Sequence, residues 1–537
     1  MTPLLGKEKE MKTAIMIVMT LALAAGTLYG AATEQPQPPP SSEDLNAPPP
    51  TPPQELPEVL TRGPVHESFA EPVNLQVQAG LVVPSQPPSN IEEIPPTEKP
   101  AGEQYVWVPG YWSWDEDRNG YIWVNGCWRV APPNMYWVPG YWAQAANGWE
   151  WIAGFWALSG VREIEYLPAP PAFDDVQPPG PLPSPDSIWV PSCQYWYQGH
   201  YVRRPGYWLE ARAGWVWVPS HYVWTPRGYI FVAGYWDYSL EHRGVLFAPV
   251  YFPRSVYSRV GFSYSPNIVI DIGMLRLSLF TCPRYSHYYF GDYYDDAYLR
   301  IGIYPCFESE RVHTWYDPIY VHDRWRHQKD EPRWEEHERR EYELRRDNKD
   351  LRPPRTYREM ETREARLPEP QRRNLQVAQP LTAVVAASKA TPLKFEHINT
   401  KAQQKLATQA TAVHKFREER NRWESTSAGH KIVQPPMERK GPVTPPTEHK
   451  EPVSPPTEHK GSVTPPMEHM PPFVSPREVR VTGPEKVKIP KPPIVGKPAD
   501  SRKSEAGPPP NPDKEHQRTD DTRDKDRNRK DKDRTQK

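Results

Sequence analysis

The middle of the chain alternates large aromatic residues with small or polar ones in short units. Four units lie between residues 105 and 156 and read YVWVPGYW, YIWVNGCW, YWVPGYW and WEWIAGFW. Four more follow, centred on Ser192, Gly206, Ser220 and Gly234. Aromatic and β-branched residues at a period of two predict short strands. We therefore expect a mainly β fold of tandem aromatic β-hairpin repeats in a meander-like body, followed by charged α-helices and long disordered Pro-rich segments.

The spacing of the units indicates a duplication. Three centres of the first set recur 80 residues later, so that Gly126, Gly140 and Gly154 correspond to Gly206, Ser220 and Gly234. This offset predicts two blocks of four units, joined by the Pro-rich stretch 168–185.

Each unit has two central residues, such as Pro109 and Gly110, at which we expect a tight turn. Counting outward from the turn places Trp107 opposite Trp112, so that each hairpin gathers its large rings on one face. Pro-Gly prefers turn types whose twist splays a two-residue hairpin, and the alternative is a bent continuous strand. We favour hairpins because the pairing recurs in units with different turn residues.

Further elements follow the repeats. Residues 245–252 and 267–272 predict strands that extend the β body. Acidic and basic residues at i,i+4, such as Glu335 and Arg339, predict an exposed helix after Pro332. A second helix is indicated by a capping-box signal at residues 400–403, and its apolar stripe consists of Ala402, Leu406, Val413, Phe416 and Trp423. This stripe is too short to identify a coiled coil.

Proline and charge divide the rest of the chain, which contains 70 Pro in 537 residues. From Pro435 a decapeptide array reads PPMERKGPVT, PPTEHKEPVS, PPTEHKGSVT and PPMEHMPPFV, which favours extended polyproline conformation. The predicted organisation is a signal peptide at 1–32, a Pro-rich disordered linker at 33–104, the aromatic repeat domain at 105–253, a Tyr-rich β extension at 254–320, a charged helical region at 321–428, and decapeptide repeats with a disordered charged tail at 429–537.

The N-terminal residues predict export. An apolar run at 14–25 follows three lysines and precedes the small residues 30–32, which is the pattern of a secretory signal peptide. An uncleaved anchor is the alternative, but the run is shorter than the ~20 apolar residues that cross a bilayer. We expect the periplasm, the cell envelope or the extracellular space, and no transmembrane segment after cleavage. Both Met1 and Met11 fit as the start.

The aromatic units resemble the YXWGXW repeat family of secreted bacterial proteins, also written WXXGXW. The resemblance rests on the motif positions Tyr105, Trp107, Gly110, Trp112, Tyr121, Trp123, Gly126, Trp128, Trp137, Gly140, Trp142, Trp151, Gly154, Trp156, Gly206, Trp208, Gly234 and Trp236. Ser192 and Ser220 depart from the motif glycine. The family has no established activity, so the resemblance implies export and an envelope setting and assigns no catalytic residue.

Four cysteines in an exported chain predict two disulfides. Cys127 and Cys193 occupy the same position of their units, and we expect them to pair with each other. Cys282 would then pair with Cys306. Free buried thiols are the alternative.

The sequence contains no motif of a catalytic, metal or phosphate site. The cluster of Asp292, Asp295 and Asp296 lacks EF-hand spacing and is interpreted as a solvated acidic loop, and His322 and His327 as surface residues. We expect no enzyme activity, no cofactor and no metal. A net charge of −1 provides no long-range attraction to nucleic acid.

These patterns predict a secreted or cell-envelope structural or interaction protein, with envelope polysaccharide or other envelope proteins as partners. The alternative is a glycan- or peptidoglycan-binding module that uses exposed Trp and Tyr faces. We favour aromatic faces that form the core, because short strands need buried rings to offset the entropy of ordering them.

Overall fold

The computed structural model describes residues 56–425, apart from 162, 173–177, 179, 310–313, 369–371, 373–374 and 389–392, together with the backbone of 485–488. The predicted signal peptide and the decapeptide array lie outside the described residues. The described part is mainly β, in many small sheets. Its strands pair antiparallel, except for one parallel pair described below.

Residues 56–104 belong to the folded body. They form six short strands, β1 (Glu58–Val59), β2 (Gly63–Pro64), β3 (Val73–Asn74), β4 (Val82–Val83), β5 (Glu92–Glu93) and β6 (Glu98–Pro100). Every residue from Thr61 to Ala70 is buried. Val65 and Phe69 pack in the largest core cluster beside Trp137. The prediction of a disordered linker at 33–104 is therefore wrong for residues 56–104, because their apolar side chains fill the spaces between hairpins.

The aromatic units form four long hairpins, each with two strands that bend at mid-length. The first contains β7 (Tyr105–Val108), β8 (Tyr111–Asp115), β9 (Gly120–Val124) and β10 (Cys127–Val130), and the second contains β11 (Met135–Val138), β12 (Tyr141–Ala145), β13 (Gly148–Ile152) and β14 (Phe155–Leu158). After β15 (Glu163–Leu167), the third contains β16 (Ser187–Val190), β17 (Cys193–Tyr197), β18 (His200–Arg204) and β19 (Tyr207–Glu210). The fourth contains β20 (Trp215–Val218), β21 (His221–Thr225), β22 (Gly228–Val232) and β23 (Tyr235–Tyr238).

The pairing partners differ from the predicted ones. Trp112 lies opposite Trp123, and Trp107 lies opposite Trp128, so each unit pairs with the next unit along its whole length. The predicted turn at Pro109 and Gly110 is wrong, and the alternative of a bent continuous strand is what the structure has. The hairpin turns instead at residues 116–119, where Asp115 Oδ1 accepts hydrogen bonds from two loop amides. Polar residues, and not the central Pro-Gly, reverse the chain.

The remaining elements surround these hairpins. The strands are β24 (Gly244–Val245), β25 (Val250–Tyr251), β26 (Ser263–Tyr264), β27 (Ile268–Ile270), β28 (Leu279–Cys282), β29 (His287–Phe290), β30 (Tyr304–Pro305), β31 (Trp315–Tyr316), β32 (Ala378–Pro380), β33 (Phe395–His397) and β34 (Glu485–Lys488). The helices within the described ranges are α1 (Arg254–Tyr257), α2 (Ile272–Leu277), α3 (Asp296–Arg300), α4 (Pro318–His327), α5 (Trp334–Asp347), α6 (Tyr357–Glu364), α7 (Leu381–Ala387) and α8 (Thr400–Ser425). The parallel pair is β5 with β26.

The indole rings of the first two hairpins form much of the core. Trp112, Trp123, Trp128 and Trp137 are each at most 2 % exposed. Opposing rings meet edge to face, with centroids 5.1 Å apart for Trp107 and Trp128 and 5.3 Å apart for Trp112 and Trp123. Such geometry aligns the positive ring edge with the negative ring face and adds to the stabilisation from burial. The aromatic faces of these hairpins are therefore mostly core.

Candidate functional site: a groove over the strand bends

A buried carboxylate binds the bend of the first hairpin. We define this bend as Pro109–Gly110 in one strand and Asn125–Gly126 in the other. Glu93 Oε2 accepts a hydrogen bond from the backbone N–H of Gly110 at 2.8 Å. Glu93 Oε1 accepts from the N–H of Gly126 at 2.8 Å and from Nε1 of Trp123 at 3.1 Å. These donors lie between the strand ladders and need another acceptor once buried. Burial raises the pKa of Glu93, and the hydrogen bonds oppose that rise.

The second hairpin repeats this arrangement with a different carboxylate. Glu67 accepts from the N–H groups of Gly140 at 2.9 Å and Gly154 at 3.1 Å, and from Trp151 Nε1 at 3.1 Å. In the fourth hairpin, by contrast, the N–H of Gly234 donates to the hydroxyl of Ser220 at 2.9 Å. In the fourth hairpin, Ser220 at the motif position is therefore the acceptor for the bend. In the first two hairpins the acceptor is a glutamate from residues 56–104.

Two arginines of α8 bind the carbonyl side of the same bends. Arg417 Nη1 donates to Gly110 O at 2.8 Å, and Arg420 Nη1 donates to Pro139 O at 2.9 Å and to Ala153 O at 3.0 Å. Each of the first two bends thus lies between an acidic side chain from the N-terminal segment and a guanidinium from the C-terminal helix. The helix therefore docks through charged residues as well as through apolar ones.

The end of α8 is held by a buried polar cluster. Glu424 is fully buried and pairs with Arg420 at 3.0 Å. It also accepts hydrogen bonds from the hydroxyls of Tyr141 at 2.6 Å and Tyr166 at 3.0 Å. The negative charge of Glu424 raises the pKa of both tyrosines, after the larger effect of burial. The predicted apolar stripe is confirmed at Val413 and Phe416 as buried residues, but it is only part of the buried face.

An open groove of about 800 Å³ lies between α8, the first two hairpins and residues 86–92. Its floor contains the rings of Trp112, Trp142 and Trp151, of which Trp142 is half-buried and the other two are buried. Trp142 Nε1 donates to Trp112 O at 2.8 Å, and Asn421 Nδ2 donates to Trp142 O at 3.1 Å. The indole of Trp142 is therefore held in place while part of its ring faces solvent. Volumes of this size suit small ligands and short chain segments.

One wall of the groove is itself a Pro-rich segment. The hydroxyl of Tyr121 donates to Ser85 O at 2.6 Å, and Trp112 Nε1 donates to Ser89 O at 2.9 Å. Pro87 and Pro88 lie between these two anchors and line the groove. Aromatic donors of the repeat thus hold a proline-containing segment by its carbonyls.

The opposite wall is the face of α8 from Thr411 to Asn421. His414 lies on this face, and burial lowers its pKa to about 3, with the charge of Arg417 acting in the same direction. The imidazole is therefore neutral at physiological pH. Arginine stays protonated at that pH, so Arg417 and the exposed Lys415 are the positive groups of the wall.

The structure brings some predicted motif residues into the groove and leaves others elsewhere. Trp112, Trp142 and Trp151 line it, whereas Trp208 packs on Trp189 in the third hairpin with ring centroids 5.3 Å apart. Glu67, Glu93, Arg417, Arg420 and Glu424 were not predicted. The sequence shows only that these residues lie in Pro-rich or charged segments. The strand bends that they bind cannot be located until the register of the hairpins is known.

The predicted disulfides are wrong in this structure, where all four cysteines are free thiols. Cys127 Sγ lies 3.6 Å from Ser68 Oγ in the main core cluster. Cys193 packs in a separate cluster with Tyr222. Burial raises the pKa of each of these two thiols to about 12, so both are protonated. The alternative of free buried thiols agrees with the structure at Cys127, Cys193 and Cys282, whereas Cys306 is half-buried.

The acidic cluster is tied to arginines and is not a freely solvated loop. Asp292 is buried and lies 2.7 Å from Arg355 and 3.4 Å from Arg352, and Asp295 lies 2.9 Å from Arg352. Across the described ranges, no group of His, Cys, Asp or Glu has the arrangement to hold a metal ion. His322 was predicted at the surface but is only 8 % exposed, because α4 packs against β20.

Comparison of the chain with protein-family models, curated proteins and solved structures gives no match. Among the helices that the structure describes, none has the length and apolar character needed to span a bilayer.

Proposed function

We propose that this chain is an exported structural and interaction protein of the cell envelope, without catalytic activity, and that it contacts its partner through the groove over the strand bends. The observation that carries the proposal is Trp142. Its neighbours on the floor are buried as core, while this ring is held by the hydrogen bond from its Nε1 to Trp112 O and still faces a groove of about 800 Å³. A rigid, partly exposed indole is the kind of side chain that dominates binding at interfaces.

The surroundings of the groove support a role in binding. Proteins expose fixed aromatic surface at a cost, and such surface marks contact sites. The rim supplies Lys415, Glu418 and Asn421 as polar groups beside the ring. The lysines, the apolar run and the small residues of the N-terminal segment 1–32 support export.

Envelope retention tests this proposal. The full chain, Trp142→Ala and Trp208→Ala would be expressed in a bacterial host, and the fraction that stays with washed envelopes would be measured. Trp208 is a matched control, because it also follows its bend glycine by two residues and also packs edge to face on another indole. We expect Trp142→Ala to lose most of its retention and Trp208→Ala to keep it. Equal retention of all three proteins, with unchanged melting temperatures, would refute the groove as a contact site.

Glycan binding is the second candidate, and the third hairpin favours it. Tyr197 is 59 % exposed, and Trp196 and Tyr201 beside it are half-buried with ring centroids 4.9 Å apart. Flat rings with polar edges stack on sugars. Sedimentation with purified peptidoglycan would test this candidate. A Tyr197→Ala chain that sediments as fully as the unmodified chain would exclude this hairpin as the sugar site.

A further inference from the structure

The wall at Ser85–Ser89 shows how the aromatic units hold a proline-containing segment. Two ring donors, Tyr121 Oη and Trp112 Nε1, bind carbonyls on either side of Pro87 and Pro88. Polyproline segments are recognised in this way, since their carbonyls are free of internal hydrogen bonds and their rings pack on aromatic side chains. The groove beside this wall offers a second surface of the same kind at Trp142.

The described residues on either side of the decapeptide array lie close to each other. Tyr166 donates its hydroxyl to Glu424 at the end of α8, and its backbone pairs with Glu485 in β34. Residues 426–484 lie outside the described part, and the described residues that flank them, Glu424 and Glu485, both contact Tyr166 of β15. They include the decapeptide array that begins at Pro435.

We propose that the groove binds one unit of this array, with the proline pair on Trp142 and the following glutamate beside Lys415. The inference rests on the proposed function, in that it takes the groove to be a binding surface, and it names the occupant as residues 435–474 of the same chain.

The dimensions of the groove and of the array agree. The α8 wall from Thr411 to Asn421 is about 15 Å long at ~1.5 Å per residue. A polyproline strand rises ~3.1 Å per residue, so that the wall accommodates about five residues. The part of the decapeptide that recurs most closely has this length, and it reads Pro-Pro-Thr-Glu-His in two units and differs at the third or fifth residue in the others.

Charge agrees with this placement. Each unit carries a glutamate two residues after its proline pair, at 438, 448, 458 and 468. Lys415 and Arg417 are the positive groups of the α8 wall, and His414 on the same face is neutral. In this placement, exposed Glu92 and Glu418 at the rim would lie near the lysine that follows in three of the units, at 440, 450 and 460.

The connection makes weak binding sufficient. Residues 426–434 reach up to ~30 Å when extended, which is longer than the groove wall. Tethered segments of this kind have effective concentrations of about 1 mM. A unit with a dissociation constant of about 0.1 mM would then occupy the groove most of the time.

Fluorescence anisotropy with the labelled peptide PPTEHKEPVS tests the inference. The full chain would carry alanine at the paired prolines of the array, 435, 436, 445, 446, 455, 456, 465, 466, 471 and 472, which removes the tethered competitor. We expect saturable binding that is about tenfold tighter than to the unmodified chain. In the same background, Trp142→Ala should weaken binding roughly 30-fold and Lys415→Glu about threefold to tenfold, whereas Trp208→Ala should stay within about twofold.

Three outcomes would overturn the inference: no saturation of the anisotropy up to ~1 mM protein, equal binding of a control peptide AATEHKEPVS, or equal loss in the Trp142 and Trp208 variants. Binding of a chitooligosaccharide with the same Trp142 dependence, and without competition by the peptide, would assign the groove to sugar instead. Envelope retention is measured separately from peptide binding. If retention depends on Trp142 but the peptide does not bind, the array is not the occupant of the groove, and the proposed function is unaffected.

Discussion

The buried glutamate of the first bend gives a stability prediction that follows from three distances. Glu93→Ala removes the acceptor of the Gly110 N–H, the Gly126 N–H and Trp123 Nε1, at 2.8, 2.8 and 3.1 Å. A buried donor left without an acceptor costs ~1–3 kcal/mol. Because water entering the vacated space satisfies part of this set, we expect a loss of about 3–5 kcal/mol in the free energy of unfolding.

Two variants calibrate that loss. Ser220→Ala removes the hydroxyl that accepts from the Gly234 N–H and that shares a hydrogen bond of 3.1 Å with the Tyr195 hydroxyl, and should cost about 1–2 kcal/mol. Glu92→Gln alters the exposed neighbour of Glu93 and should change stability by less than about 0.5 kcal/mol. Urea unfolding followed by tryptophan fluorescence measures all three, with an unchanged slope showing that the unfolded state is comparable. A Glu93→Ala loss no larger than that of Ser220→Ala would refute the assignment of the carboxylate as the acceptor that holds the bend.

Three further measurements address other parts of the structure. Gly110→Ala places a Cβ against Val124 O and the Trp123 ring and should destabilise by at least about 2 kcal/mol in urea unfolding, whereas Gly160→Ala, with open space around it, should be nearly neutral. Burial raises the pKa of Asp317 to about 6, so the native state binds its proton more tightly than the unfolded chain does. The stability that this group contributes is complete below about pH 4 and falls by about 3 kcal/mol as the pH rises through 6. Asp317→Asn should remove this pH dependence from the free energy of unfolding measured between about pH 4 and 8. Iodoacetamide added to unfolded, unreduced protein should label four cysteines by mass spectrometry, and fewer labels would show a disulfide.

The sequence predicted the strands well because their signal is local. Alternation of aromatic and small residues at a period of two is present in each unit, and the strands β7–β14 and β16–β23 lie where it predicts them. The helix at 400–425 was predicted in the same way, although Asn399, not Thr400, accepts the capping hydrogen bond from Ala402.

Register and long-range contacts could not be predicted from local patterns. If the chain turned at Gly110, Trp107 would lie opposite Trp112; because the strand only bends there, it lies opposite Trp128. Both pairings agree with the same alternation of residues. The bend is decided by Glu93, whose contacts lie 17 and 33 residues along the chain. A glutamate in a Pro-rich stretch and an arginine on a charged helix look like solvated residues until the buried amides and carbonyls they bind are placed.

The bends of the first two hairpins also constrain the order in which the chain can reach its native state. Gly110 is bound on one side by Glu93 and on the other by Arg417, which lies 307 residues away in sequence. A chain emerging from the ribosome or from a translocation pore can form the aromatic strands early but cannot cap their bends until α8 has followed. Contacts of such long range slow folding, because loop closure must precede the interactions that compensate for it. During that interval the indole-rich strands are exposed to other chains. We therefore expect the protein to depend on chaperones that hold these strands until α8 is available.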